Sequence, residues 1–89
     1  MNASYDEMLT KFVAAMEAKL KKNSWKDPWY NCSLQYLSMR LTQERKELRR
    51  AMTRRDAHEV LKEAADVANF AMMLADVYRR KMEEENGTS

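Results

Sequence analysis

Apolar side chains recur along this chain at intervals of three and four, the spacing that gathers residues on one face of an α-helix. Met8, Phe12, Ala15, Met16 and Leu20 form the first such stripe, and Ser4 with Glu7 supplies an S-x-x-E capping box ahead of it. A first helix is therefore predicted over about residues 4–22. The stretch NSWKDPWYN then combines Asn, Ser, Asp and the one proline. Because the residue before a proline resists helical dihedrals, this stretch is predicted as a loop. Leu34, Leu37, Leu41, Leu48 and Met52 mark a second helix, over about residues 33–54. Asp56 and Glu59 make a second capping box, so the chain turns sharply near Arg55 and starts a third helix bearing Val60, Ala64, Val67, Ala71, Leu74 and Tyr78. Helices two and three become an antiparallel hairpin. The closing EEENGTS is polar and predicts a disordered tail over 83–89, which leaves 1–82 as a single domain.

Composition sharpens this into an all-α fold. Hydrophobic residues make up 45% of the 89, enough for a core, while one Gly and one Pro leave few sites for the tight turns a sheet needs. A chain this short buries a limited share of its surface, so a second copy is expected to help. Phe70, Met72 and Met73 widen the apolar arc of helix three beyond one face. These features predict a homodimer around a shared four-helix-bundle core, with tetramer formation a further step.

Charge excludes little but redirects attention. Sixteen Lys and Arg against fourteen Asp and Glu give +2, too near balance to indicate nucleic acid, and the Arg clusters at Arg49, Arg54 and Arg79 read as solvated faces. Cys32 is the only cysteine, so no intrachain disulfide can form and a reducing, cytoplasmic setting is expected. The opening MNASYDEM has acids where a signal peptide needs basic residues, and no apolar run approaches the roughly 18 residues of a membrane helix. No membrane association is expected.

The chemistry lies in acids that interrupt the apolar stripes. At 100° per residue, Glu44 falls inside the stripe of Leu37, Leu41 and Leu48, with Glu47 one turn on at its edge; Glu63 falls inside the stripe of Val60, Val67 and Leu74, with Asp66 at its edge. Side chains at i, i+3 are neighbours, so each helix offers a pair of carboxylates and the hairpin brings the pairs together. Anions in a partly dry bundle need protonation, cation pairing or a metal. Carboxylate oxygens suit hard divalent ions, and with only His58 and Cys32 as softer ligands, Mg²⁺ is favoured, Mn²⁺ being possible. Magnesium keeps waters and typically meets phosphates, which points to a phosphate ester or anhydride substrate. The plainer account has the acids on the helix surface, paired with Arg45, Lys46, Arg49 or Lys62. The repetition of one geometry on consecutive helices argues against it.

At these positions the chain resembles the MazG-like all-α nucleoside triphosphate pyrophosphohydrolases, whose signature is E-E-x-x-E, a spacer and E-x-x-D. Here it reads QERKE over 43–47 and EAAD over 63–66. Upstream, Lys19, Leu20, Asn23, Lys26 and Trp29 are similar to the KL-x-x-N-x-x-K-x-x-W pattern of the small phage and bacterial branch, and DVANFAMMLAD downstream is similar to the same branch. One position departs: Gln43 stands where the first acid of the doublet is expected.

The resemblance implies that Mg²⁺, held by Glu44, Glu47, Glu63 and Asp66, grips a triphosphate while water attacks the α-phosphorus, giving a nucleoside monophosphate and pyrophosphate. Glu47, Glu63 and Asp66 then mainly ligate, and Glu44 ligates or acts as general base. It also implies substrate contacts from Asn23, Lys26 and Trp29. Asn69, one turn past Asp66, either meets substrate or makes a polar bundle contact; Trp29 either stacks on a base or covers a small core. His58 is expected to face solvent and Cys32 to be packed. The alternative function is a non-catalytic helical interaction or regulatory dimer.

Overall fold

In a computed structural model the chain is described over residues 3–22 and 28–87. It forms three long helices, α1 (Ala3–Lys22), α2 (Leu34–Arg54) and α3 (Ala57–Gly87), with a 3-10 turn at Trp29–Asn31 ahead of α2. Asn23, Lys26 and the side chain of Ser4, with its half of the first capping box, lie outside the described residues. Among the described residues no strand is present. None of the described helices is long and apolar enough to cross a membrane.

Local chemistry explains the two helix starts. Ser33 stays extended and its Oγ accepts from the Tyr36 backbone N–H at 3.1 Å, capping α2. Asp56 Oδ1 accepts from the backbone N–H groups of His58 and Glu59 at 3.0 and 3.2 Å, capping α3. The reciprocal half of that capping box is not made, because the Glu59 carboxylate turns to Lys62 at 3.5 Å. Between the helices Arg55 adopts φ 58°, ψ 35°, the left-handed conformation that ends a helix and reverses the chain. The turn expected near Arg55 is thus made by a single non-glycine residue held in αL.

α3 is the central element, packed along one side by α2 and along another by α1. Its buried face holds Ala65, Asn69, Phe70, Met73 and Val77. This face is rotated from the stripe expected by spacing alone: Ala71 and Tyr78, placed in that stripe, are exposed. With neighbours on two sides, α3 turns its bulkier Phe70 and Met73 inward, where they remove more apolar area from water than Ala71 could. On α2 a similar adjustment buries Ala51 and leaves Met52 exposed. Leu37, Phe70, Met73 and Val77 form the core, with Leu20, Cys32, Leu34, Leu41 and Leu74 packed against it.

The C-terminal stretch corrects one expectation. Residues 83–87, expected to belong to a disordered tail, continue α3 as helix to Gly87. Arg79 holds Glu83 at 2.9 Å, an i, i+4 pair that favours helix across the proposed boundary.

Two stability changes follow. Leu37 is fully buried, so Leu37→Ala should cost about 2–4 kcal/mol in urea unfolding. Arg55→Gly should add about 0.5–1 kcal/mol, because glycine enters αL without the Cβ penalty. A loss of stability in Arg55→Gly would contradict this account of the turn.

Candidate metal centre

The acids occupy core rows of the hairpin. On α3, Glu63, Asp66, Phe70, Met73 and Val77 follow one another by threes and fours, so the row that buries the last three carries the first two at its N-terminal end. On α2, Glu44 lies two helical turns from both Leu37 and Ala51, each essentially fully buried. Both elements therefore direct carboxylates where apolar side chains would otherwise continue. Carboxylate oxygens of Glu44, Glu63 and Asp66 lie within 4.8 Å of one another.

Two cations balance this cluster. Lys19 of α1 places Nζ 3.0 Å from Asp66 Oδ2, and both side chains are mostly buried, at 16% and 13% exposure. Arg40, one turn before Glu44 on α2, donates to Glu44 Oε1 at 2.8 Å and lies 4.8 Å from the centre of the Phe70 ring. Among the described residues Glu63 has no such dedicated partner. Burial, and then the neighbouring charge of Asp66, push its carboxyl above the ordinary range, although Lys19 pulls the other way. For Lys19, burial alone would lower the ammonium pKa; the hydrogen bond to Asp66 and the nearby Glu63 and Glu44 charges outweigh burial and raise it.

The fourth expected acid stands apart. Glu47 turns outward to Arg50, with 44% of its side chain exposed, yet its charge still adds to the repulsion on Glu63. None of the cations expected to neutralise the acids in the plainer account does so; the partners are Arg40, Lys19 and Arg50.

Could the convergent set hold a divalent ion? Oxygens about 2.1 Å from an octahedral centre sit about 3 Å apart when adjacent and about 4.2 Å when opposite. Three carboxylates already within 4.8 Å reach that spacing by small side-chain rotations. The all-oxygen donor set suits Mg²⁺ or Mn²⁺. Glu44, Glu63 and Asp66 fit such an ion, and Glu47 would join only by leaving Arg50.

Asn69 is buried on the face of α3 that meets α1, where its Nδ2 donates to the Met16 carbonyl at 3.1 Å. The bundle contact is thus made, while Asn69 Oδ1 is buried with no hydrogen-bond partner among the described residues. Trp29 lies away from the acids. Its indole Nε1 donates to Asp76 Oδ2 at 2.8 Å, and Asp76 is about 15 Å along α3 from Asp66. There Trp29 helps close an apolar cavity of about 310 Å³ with Leu20, Met72 and Met73. Trp29, Arg79 and Arg80 hold the Asp76 carboxyl far below the usual range. His58 is exposed, and Cys32 is a free, half-buried thiol packed against the core.

Lys19 and Arg40 were not anticipated as partners of the acids. Arg40 could have been found from its i, i+4 spacing to Glu44. Lys19 reaches Asp66 only through the packing of α1 on α3, which no local pattern reports.

Fold and site define a three-helix chain with a partly buried, cation-balanced carboxylate cluster. Over 75 residues the chain is 36% identical to a protein of Archaeoglobus fulgidus described as an uncharacterized protein, a match that covers 79% of this chain and 81% of that protein. The chain belongs to the same family as this archaeal protein. No family model and no solved structure matches it.

The raised Glu63 carboxyl has a thermodynamic consequence. The folded chain holds that proton to a higher pH than the unfolded chain, so between the two pKa values it binds more protons and stability falls as pH rises. In EDTA at neutral pH, Glu63→Gln should melt a few degrees above the unsubstituted protein, and the advantage should vanish in acid below the ordinary value of 4.5. Melting of Glu63→Gln below the parent at neutral pH in EDTA would contradict the charge balance described.

Proposed function

We propose that this chain is a divalent-metal-dependent nucleoside triphosphate pyrophosphohydrolase, acting on (d)NTP to give (d)NMP and pyrophosphate. The observation that carries the reading is the convergence of Glu44, Glu63 and Asp66 from antiparallel helices into one partly buried cluster. The similarity of the QERKE and EAAD segments to paired acid motifs of MazG-like enzymes supports it independently of geometry.

Bound Mg²⁺ would supply charge neutralisation for the triphosphate oxygens. The chain's own groups do the rest. Glu44, Glu63 and Asp66 would hold the ion, and Glu47 would join from the edge. A water oxygen forms a bond to the α-phosphorus as the bond from that phosphorus to the bridging oxygen breaks; pyrophosphate leaves with the electron pair. The water's proton passes to a carboxylate. The carboxylates of the cluster, Glu44 and Glu63 among them, are the groups placed to accept it. Lys19 and Arg40, which pair with Asp66 and Glu44, would be able to meet phosphate oxygens if an ion took over those acids. Asn69 Oδ1 has an acceptor to offer beside Asp66.

The active form is proposed to be a homodimer. Tyr5, Met8, Leu9 and Val13 form an apolar face on α1 that is about half exposed, where a second copy would remove it from water. A specific observation favours a second reading, a non-catalytic helical dimer: Glu44 and Asp66 already have cation partners within the chain. The two readings diverge in thermal stability, since only a ligand-binding enzyme is stabilised by Mg²⁺ with nucleotide.

Pyrophosphate release across common and modified NTPs and dNTPs with Mg²⁺ tests the proposal. Turnover is expected for the unsubstituted chain, with a loss of about 100-fold or more in Glu63→Gln. Undiminished turnover in that variant removes the site assignment.

A further inference from the structure

A second charged feature lies beside the acid cluster. A groove of about 520 Å³ runs between α1 and the beginning of α3, with Lys11, Lys19, Lys22, Lys62 and His58 on its walls and Leu61 among the apolar groups of its floor. Lys11 and Lys22 stand about 16 Å apart along α1 and on nearly the same side, because three turns separate them. Lys62 and His58 face them from α3. Four ammonium groups from two helices thus border one depression.

The acids near these lysines leave most of that charge available. Lys11 approaches Glu7 only to 4.0 Å, with both side chains about three-quarters exposed, and Lys62 approaches Glu59 at 3.5 Å. Such exposed pairs are weak and yield readily to a multivalent anion. Lys19 is different. It lines the groove while its ammonium is bound to Asp66, so it stands at the border between basic groove and acid cluster.

We propose that this groove binds a short oligophosphate chain. Lysine ammoniums act as point charges for phosphate oxygens without the planar geometry that carboxylate recognition uses, and His58 adds a ring N–H donor. Ala14, Ala15 and Ala18, which also line the groove, leave its depth to the ligand. The ligand is short because at Lys19 the groove borders on Asp66 and the acid cluster, whose charges turn away a longer polyanion. That border also gives the groove its use: if the hydrolase reading holds, the groove receives the distal phosphates while the acid cluster faces the scissile one. Binding in the groove itself does not depend on that reading. The chemistry is shared by a free inorganic oligophosphate and by the triphosphate tail of a nucleotide.

Calorimetric titration of the full chain with sodium tripolyphosphate, in EDTA and at low ionic strength, tests the proposal without requiring turnover. Saturable binding is expected, weakened about tenfold or more in Lys11→Gln/Lys22→Gln/Lys62→Gln and retained in Glu63→Gln. Glutamine keeps helix propensity close to that of lysine, and circular dichroism checks the fold. Should the triple variant unfold, Lys22→Gln alone must still weaken binding, and added salt must weaken binding to the unsubstituted chain. Adenosine should not bind. ATP as tight as tripolyphosphate supports the groove with the nucleotide tail as ligand; weaker ATP supports it with free oligophosphate. No saturable binding of tripolyphosphate, or equal binding by the folded lysine variant, overturns the proposal. Turnover lost in Glu63→Gln with tripolyphosphate binding intact separates the groove from the hydrolytic site.

Discussion

Glu63 occupies a position where the core of the α2 and α3 hairpin would otherwise continue, and its charge is tolerable only while cations stand close. The same constraint holds for Glu44 and Asp66, whose oxygens join it within 4.8 Å. Removing a carboxylate from water costs several kcal/mol, and crowding adds repulsion. Lys19 and Arg40 meet part of that cost by pairing with Asp66 and Glu44, while Glu63 responds by holding its proton more tightly. The cluster is thus under electrostatic tension that a divalent ion would relieve more fully than two monovalent groups at its edges.

The fold sustains the imbalance because the opposite end of the hairpin is apolar. Leu37, Phe70, Met73 and Val77 bury a conventional core, and the rows of α2 and α3 that supply it also carry the acids. A stable region thereby positions a costly one. α1 completes the arrangement: packed on α3, it brings Lys19 to Asp66 and leaves the Met16 carbonyl for Asn69. At the far end Trp29 is fastened to Asp76, so that aromatic serves packing about 15 Å from the acids.

Much of this was legible in the sequence, for identifiable reasons. Helix spans followed from apolar spacing and from the cap at Asp56, because these are local effects. The convergence of Glu44, Glu63 and Asp66 followed from helical geometry combined with a short reversal at Arg55. What failed depended on partners. The stripe on α3 was misplaced by one position, since periodicity cannot tell which part of a broad apolar arc meets two neighbours. Glu47 had the right spacing but found Arg50 on the outside. Lys19 could not be paired with Asp66 without knowing how α1 packs. The end of α3 was missed because polar composition reads as tail, although Arg79 and Glu83 have the spacing of a helix-stabilising pair.

The central claim is that three side-chain carboxylates share one divalent ion, and anomalous scattering from a crystal grown with Mn²⁺ tests it most directly. The account predicts one manganese peak bounded by Glu44, Glu63 and Asp66, with Arg40 and Lys19 displaced from them. Absence of a peak there at saturating manganese, with Glu44 still on Arg40 and Asp66 still on Lys19, would contradict it.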